Sequence, residues 1–448
     1  MAERLVVVGG DAAGMSAASQ ARRLRPDLEI VAFERGGHVS YSACGEPYYV
    51  GGLVDSIDRL VVRTPEDFAA RRIEVHIRHE VSAIDLEKRE VHVTSLDGSG
   101  SRTVGFDQLI YSTGSRPLRP ADIAGIDSPG VFGLRTLEDA EVLRNRADQG
   151  PGRVVMVGGG YIGIEMAEAM VDRGWHVTMV TSGRHVLERT IDDRMGELAD
   201  RAVRDYGVEL LTEARVTGVE HTATHHVVSG DGFLLVADLV VIGLGAGPEV
   251  DLAVAAGIPM GVTGAVAVDD RQATAVPGVW SAGDCAEARH RVSGLPVNML
   301  LGTVANKTGR IAGTNIGGGD ARFPGVLGTA ITRIGPTEIS RTGLKVNGAA
   351  ASGFAPVTGF ARGTVRAGYW PENAPMAVMV IADKNTGQLL GGQIVGGAGA
   401  GKRIDVIATA IWAGMTAAEL AWVDLAYAPP FSGVWDLIHI AARRAADE

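Results

Sequence analysis

A β-branched run, a glycine turn and a helix-forming stretch occur twice in this chain, over Leu5 to Leu24 and again over Val154 to Arg173. In the first copy LVVVGG enters the turn, DAAGMSAASQARRL carries small residues and then charges at helical spacing, and EIVAFE returns as a strand. RVVMVGGG, YIGIEMAEAMVDRG and HVTMVTS repeat that order in the second. Each copy reads as a right-handed βαβ unit, so the chain is expected to hold two Rossmann-like dinucleotide-binding domains.

The two glycine turns differ in detail. In Gly9-Gly10-Asp11-Ala12-Ala13-Gly14, Gly9 and Gly14 fill the outer positions of a GxGxxG fingerprint, but Asp11 replaces the middle glycine. Gly9 permits the tight turn, Gly14 lets the helix pack closely, and the helix N-terminus presents its amides to a pyrophosphate. Glu34, 20 residues beyond Gly14, stands where a carboxylate binds a ribose hydroxyl. The second turn, Gly158-Gly159-Gly160-Tyr161-Ile162-Gly163, is a full fingerprint with Glu165 just inside the helix. At the ribose end of its next strand the sequence is Val180-Thr181-Ser182-Gly183-Arg184, with no acid. A hydroxyl (Ser182) and a guanidinium (Arg184) suit a 2′-phosphate, so NADPH is expected over NADH, which stays possible.

A length of 448 residues, 46% of them apolar, is enough for about three cores. EVHVTSLDGSGSRTVGFDQLIYSTG reads as a hairpin turned at DGSGS and then a strand ending at Thr113 and Gly114. DLVVIGLGAGPEV is a strand running into the turn that contains Gly245, and GVWSAGDCAEA resumes the pattern of the first domain. From Phe323 onward short strands alternate with one apolar helix, DVIATAIWAGMTAAEL, and no fingerprint occurs. The expected fold is α/β: a first nucleotide domain in two parts, 1–117 and 247–322, a second over 118–246, and an α+β dimerisation domain over 323–448.

Lys and Arg number 42 against 53 Asp and Glu, a formal charge of -11, which disfavours nucleic acid and anionic lipid as partners. No apolar run approaches the ~20 residues of a membrane span, and the opening MAERLVVVGG is too short for a signal-peptide core, so a cytoplasmic protein is expected. With only Cys44 and Cys285 present, neither a disulfide framework nor a zinc site is expected, and no metal.

Asp284, in SAGDCAE at the end of an apolar strand, is placed to bind the ribityl chain of a flavin whose pyrophosphate lies on the first turn. Together with Thr113-Gly114 in STGSRP it completes a three-part pattern that resembles the pyridine nucleotide–disulfide oxidoreductases over nearly the whole chain. Ser40-Tyr41-Ser42-Ala43-Cys44-Gly45-Glu46-Pro47-Tyr48-Tyr49 is similar to their single-cysteine branch. Tyr427-Ala428-Pro429-Pro430-Phe431-Ser432-Gly433-Val434-Trp435-Asp436 is similar to the ending of coenzyme A disulfide reductases.

That resemblance implies FAD bound by Gly9, Ala12, Ala13, Gly14, Glu34, Arg35, Ser42, Val81, Thr113, Gly114 and Asp284. It implies a nicotinamide dinucleotide on Gly158, Gly160, Tyr161, Ile162, Gly163, Glu165, Ser182, Arg184 and Gly245. Cys44 is the implied redox centre. Gln20, Arg23, Ser40, Tyr41 and Lys307 match coenzyme A contacts, and Tyr369 and Tyr427 match two tyrosines that reach the site from the other subunit of a homodimer. The thiolate is the reactive form of cysteine, so positive potential or a helix N-terminus is expected around Cys44. Cys285 reads as core packing.

The resembled reductases usually have Asn where this chain has Ala43 and an apolar residue where it has Glu46. The oxygen- and peroxide-reducing relatives carry a histidine where this chain has Ala12, so those activities lose a supporting residue. The expected function is reduction of coenzyme A disulfide or a related small-thiol disulfide by FAD and NAD(P)H through Cys44. The rivals are a coenzyme A persulfide or polysulfide reductase, an NAD(P)H oxidase or peroxidase, and a flavoprotein redox sensor with little turnover.

Overall fold

In the computed structural model, which describes residues 3–448, each repeated sequence unit builds its own parallel sheet. The first has the order Val279–Ser281, Gln108–Tyr111, Arg4–Val8, Glu29–Phe33, Glu74–His76, with every neighbouring pair parallel. The second has the order Glu209–Leu211, His176–Val180, Arg153–Val157, Leu239–Ile242, Val131–Phe132, again all parallel. The helices read from the two copies run over Ala12–Leu24 and Tyr161–Asp172. Leu5, Val6, Val7 and Val8 are buried, as are Val154, Val155, Met156 and Val157, as strands covered on both faces require.

Each sheet carries a three-stranded antiparallel insertion: His79–Asp85, Glu90–Ser95 and Ser101–Gly105 in the first, Val216–His221, His226–Gly230 and Phe233–Ala237 in the second. The hairpin at DGSGS is thus the outer part of a larger unit. The chain leaves the first unit and re-enters it along one ribbon, Ser115–Pro117 paired antiparallel with Ala246–Pro248. The returning segment adds the edge strand Val279–Ser281 and the helix Gly302–Ile316. That helix packs against Ala12–Leu24 at backbone distance. A Cβ on Gly309 would lie 2.2 Å from the Ala13 carbonyl oxygen, and one on Gly313 would lie 2.3 Å from that of Ala17.

The C-terminal region is an antiparallel sheet, Ala330–Ile334, Thr337–Gly343, Leu389–Gly396, Pro375–Asp383, Pro356–Thr364 in spatial order. The single apolar helix expected over DVIATAIWAGMTAAEL is two helices, Ile404–Trp412 and Ala417–Leu420. Gly414 takes φ +75° between them, and Thr416 and Glu419 form a capping box that starts the second. A further helix, Leu437–Ala446, covers the sheet, with Gly359 beneath Ala441. Among the described residues no helix is long and apolar enough to cross a membrane.

Candidate active site

Both glycine turns have the close approaches their fingerprint demands. Gly9 has φ +98° and Gly158 φ +113°, and a Cβ on either would strike a carbonyl oxygen, that of Ser112 at 2.3 Å or of Gly243 at 2.4 Å. A Cβ on Gly14 would lie 2.1 Å from Gly9 O, and one on Gly163 would lie 2.2 Å from Gly158 O, so these glycines set helix against strand. Gly160 is different: the nearest atom to its added Cβ is 3.5 Å away, so protein packing does not demand this glycine and it leaves room for a close ligand. The helices that follow, Ala12–Leu24 and Tyr161–Asp172, have no side-chain N-cap hydrogen bond and no acid in the first turn. Their leading N–H groups are left for an anion, which fits the pyrophosphates of two dinucleotides.

Around the first turn Glu34 folds back on the chain, accepting from Gly10 N and Gly36 N, both at 2.7 Å. Arg35 is exposed, 3.9 Å from the Glu249 carboxylate. Val81 is buried in the insertion sheet, Ala12 lies half-buried and Ala13 buried in the first helical turn, and Ser42 precedes the short turn that carries Cys44. Asp11 turns away from the glycine loop and accepts from Tyr41 N at 3.1 Å, which ties that loop to the Cys44 segment. Burial pushes its carboxyl up to about 6.

Thr113 donates to Glu249 O at 2.7 Å, and Gly114 takes φ +76° beside the Arg135 guanidinium. Asp284 accepts from Ser115 Oγ at 2.9 Å and lies 3.5 Å from Arg135, whose Nε also donates to Ser115 O at 3.0 Å. Sequence reasoning found Asp284 and missed Arg135 and Ser115. The available signal was RTLED, an arginine just ahead of the Thr136–Asp139 capping box.

Cys44 lies in the short turn Ala43–Gly45, which runs directly into the helix Glu46–Gly51. The thiol is exposed, whereas Cys285 is buried. That helix packs against Tyr161–Asp172, and Glu165 of the latter is held by Thr332 of the C-terminal sheet, whose hydroxyl donates at 3.0 Å. Three regions therefore meet at this cysteine. The expected positive potential is not found: partial burial, then the charges of Glu165, Glu46 and Asp284, push the thiol up, against Arg135 alone. Burial also raises Glu165 to about 7 and Glu46 to about 8.

Glu46 carries a measurable consequence for stability. Its folded-state value lies above the ordinary 4.5, so between about 4.5 and about 8 the folded chain keeps a proton that the unfolded chain releases. Stability falls as pH rises through that window, and the full cost stands above it. Glu46→Gln should therefore match the wild type near pH ~4 and exceed it near pH ~9, by at most about 5 kcal/mol. Thermal unfolding across pH checks this, and parallel curves for the two proteins would refute it.

The residues matched to coenzyme A contacts lie on two adjoining helices and one loop. Gln20 is buried and accepts from Arg23 Nη1 at 3.3 Å, while Arg23 and Lys307 are exposed on the packed helices Ala12–Leu24 and Gly302–Ile316. Ser40 adopts φ 49° and donates its N–H to Gly10 O at 3.0 Å; Tyr41 follows, half-buried. Tyr369 and Tyr427 interact with each other, 75% and 47% exposed, near Phe431, Val434 and Trp435, which are exposed too. An exposed aromatic surface of that kind marks an interface. At the second ribose end Ser182 is open, but Arg184 is already engaged with Asp193 at 2.6 Å and Glu188 at 3.6 Å. Tyr161 is half-buried, Ile162 exposed, and Gly245 has φ +100° in the turn that follows the strand Leu239–Ile242.

The comparisons with known proteins agree with this geometry. The family model for pyridine nucleotide-disulphide oxidoreductases matches residues 3–309, and the model for the dimerisation domain of that family matches 329–437. An NAD(P)H coenzyme A polysulfide/persulfide reductase from Pyrococcus horikoshii is 37% identical over 99% of this chain and 98% of its own length. An NADH oxidase from Methanocaldococcus jannaschii is 33% identical over 99% and 98%. A coenzyme A disulfide reductase from Staphylococcus haemolyticus is 30% identical over 99% of each. Among solved structures, an NAD-dependent persulfide reductase from A. fulgidus superimposes with TM-score 0.93 at 35% identity, covering 98% of this chain and 82% of that one. The chain belongs to the pyridine nucleotide-disulphide oxidoreductase family.

Proposed function

We propose that this protein is an FAD-dependent NAD(P)H oxidoreductase that reduces coenzyme A disulfide, or the persulfide of the same thiol, through Cys44. The observation that carries the reading is the placement of one exposed thiol where both nucleotide units and the C-terminal domain meet, with the other cysteine sealed in the core. FAD, when bound, supplies the relay by which a two-electron donor reduces sulfur. Gly9, Gly14 and the amides of the first helix would hold its pyrophosphate, Glu34 its ribose, and Asp284, fixed by Ser115 and Arg135, its ribityl chain. Glu34 accepts one bond on each oxygen, from Gly10 and from Gly36, which fixes its orientation and leaves a further lone pair on each for the ribose hydroxyls.

The chain's own work is to bind, orient and exclude water. Arg23 and Lys307 would hold the phosphates of coenzyme A against an otherwise acidic surface. Ser40 and Tyr41 line the approach to Cys44, and the tyrosine pair of a second copy would reach the departing sulfur. The resemblance to the sulfur-reducing relatives supports sulfur as acceptor, and the oxidase among the relatives makes oxygen the acceptor to exclude. An anaerobic titration with NADPH, followed by acceptors offered one at a time, tests the reading. Coenzyme A disulfide or persulfide should reoxidise the protein fastest; rapid reoxidation by oxygen alone would overturn it.

NADPH is the proposed donor, because no acid at Ser182 repels a 2′-phosphate and Arg184 stands beside it. Asp193 and Glu188 compete for that guanidinium, so the preference should be modest. Arg184→Ala is expected to narrow the NADPH to NADH ratio of kcat/KM by about tenfold, the worth of one charge-assisted contact. An unchanged ratio would remove Arg184 from the site.

A further inference from the structure

Along the strand Ala330–Ile334 the buried positions are Thr332 and Ile334, set between exposed Ile331 and Arg333. Strand alternation turns both inward, and Ile334 joins the core. Thr332 is 5% exposed at a position where valine has the same shape, so its hydroxyl requires a partner there. That partner is Glu165 of the nucleotide-binding helix Tyr161–Asp172, whose Oε1 accepts at 3.0 Å. The same stretch of chain holds a second glutamate one helical turn further on. Glu168, 4% exposed, accepts from Gly335 N at 3.1 Å and lies 3.4 Å from Arg333 Nε. The two carboxyls are treated differently: Glu168 is matched by a guanidinium and a backbone N–H, Glu165 by a hydroxyl and no cation. Among the described residues nothing bonds the other oxygen of Glu165, Oε2, and it is not sealed from solvent.

Glu165 also lies between two points that a bound dinucleotide has to connect. At one end is the glycine turn with Tyr161, and at the other are Cys44 and Tyr48, on the helix that Cys44 leads into. The charge of Glu165 acts on all three of those side chains. The two helices are in backbone contact, since a Cβ on Gly51 would lie 3.2 Å from Ala169 Cα. A dinucleotide whose pyrophosphate sits on the turn and whose electrons end at Cys44 must lay its nicotinamide beside this carboxyl. The polar group of nicotinamide is its carboxamide, and the NH2 of that amide requires an acceptor.

We propose that Thr332 is a positioning residue for the nicotinamide: its hydroxyl, supplied by the C-terminal domain, holds the Glu165 carboxylate as acceptor for the carboxamide NH2. The proposal rests on the NAD(P)H-dependent function given above. A charged acceptor makes the stronger hydrogen bond, and Thr332 is the neighbour that favours the charge. Burial opposes it, with Glu168 of the same helix adding to the effect, and the carboxyl stands at about 7. The other titratable groups that face it are Cys44, Tyr48 and Tyr161, while Arg333 of the strand is engaged by Glu168. Loss of the hydroxyl should therefore raise Glu165 further, so that the charged acceptor is present only at higher pH.

Reduction of the holoprotein by NADPH with no acceptor present isolates this step. In the wild type its rate should rise with pH through a step near neutrality. Thr332→Val, equal in shape, should move that step to higher pH by about half a unit or more, with the two rates converging at high pH. Thr332→Ser keeps the hydroxyl and should leave the step in place, whereas Glu165→Gln should abolish it. In the Glu165→Gln background Thr332→Val should add nothing. A second measurement needs no turnover. Near pH ~7, Thr332→Val should weaken NADP⁺ binding to the oxidised holoprotein by about threefold, and leave 2′-phospho-ADP-ribose, which lacks the nicotinamide, unaffected. Bound flavin and circular dichroism establish folding, and Thr332→Ala serves if the valine variant fails. Coincident pH profiles for wild type and Thr332→Val, a loss by one factor at every pH, an effect that survives in Glu165→Gln, or equal weakening of both ligands would overturn the proposal. Failure of both NADPH and NADH to reduce the flavin would overturn the functional reading itself, a result distinct from any of these.

Discussion

Cys44→Ser should lose reduction of coenzyme A disulfide altogether while keeping its flavin and still being reduced by NADPH. The groups proposed to hold FAD and the dinucleotide are the two glycine turns, Glu34, Asp284 with Ser115 and Arg135, and Glu165, and none of them touches the sulfur for its own geometry. Serine is nearly the same size, and its hydroxyl is neither reducible nor nucleophilic at neutral pH. The exposed position of residue 44 means that the exchange leaves no cavity, so stability should move by less than about 0.5 kcal/mol. The measurement is a pair of rates on one preparation: anaerobic bleaching by NADPH, and NADPH consumption with coenzyme A disulfide. Undiminished disulfide reduction would show that the flavin reduces the acceptor directly. Loss of both rates would mean that Cys44 shapes the flavin site itself.

The architecture was legible in the sequence because it rests on local signals that repeat. A strand, a glycine turn and a helix are each written in neighbouring residues, and Gly9, Gly14, Gly158 and Gly163 are glycines because any Cβ would strike backbone. The return of the chain to its first sheet could be read for the same reason, since Val279–Ser281 ends at a carboxylate as the other strands end at turns. What escaped was the single helix drawn through Gly414, where a capping box at Thr416 outweighed a continuous apolar pattern. The terminal helix Leu437–Ala446 also escaped.

The electrostatics of the site were less legible, because they depend on residues far apart in sequence. Arg135, Ser115 and Asp284 form one cluster across 169 positions. Glu165 and Thr332 meet across 167, and Asp11 reaches Tyr41 across 30. The expectation of a positive setting for Cys44 followed from the chemistry of thiolates in general. It failed because Glu46 and Glu165 come from two packed helices whose contact no local pattern announces. The departure at Glu46 was visible as a residue type; its burial was not.

Subunits inactivated separately should restore activity when mixed, provided that each active site draws on two chains. Tyr369 and Tyr427 lie together on the dimerisation domain, far out in solvent among other exposed aromatics, and neither ranks among the groups that act most on Cys44 of the same chain. We propose that these exposed phenols act against another copy of the chain. A two-fold dimer would bring them to the partner's sulfur and, reciprocally, receive the partner's pair at its own. Tyr427 would then donate a hydrogen bond to the departing thiolate and hold its charge until the proton arrives. Tyr427→Phe removes that donor and little else, since the ring remains to pack beside Pro429 and Pro430. Cys44→Ser and Tyr427→Phe homodimers should each be nearly inactive. After mixing and subunit exchange, a heterodimer holds one site with both lesions and one with neither, so a statistical mixture should regain about a quarter of wild-type activity. Formation of heterodimers, checked by mass tags on the two variants, with no activity regained would place Tyr427 beside Cys44 of its own chain, and a fully active Tyr427→Phe homodimer would reduce Tyr427 to packing.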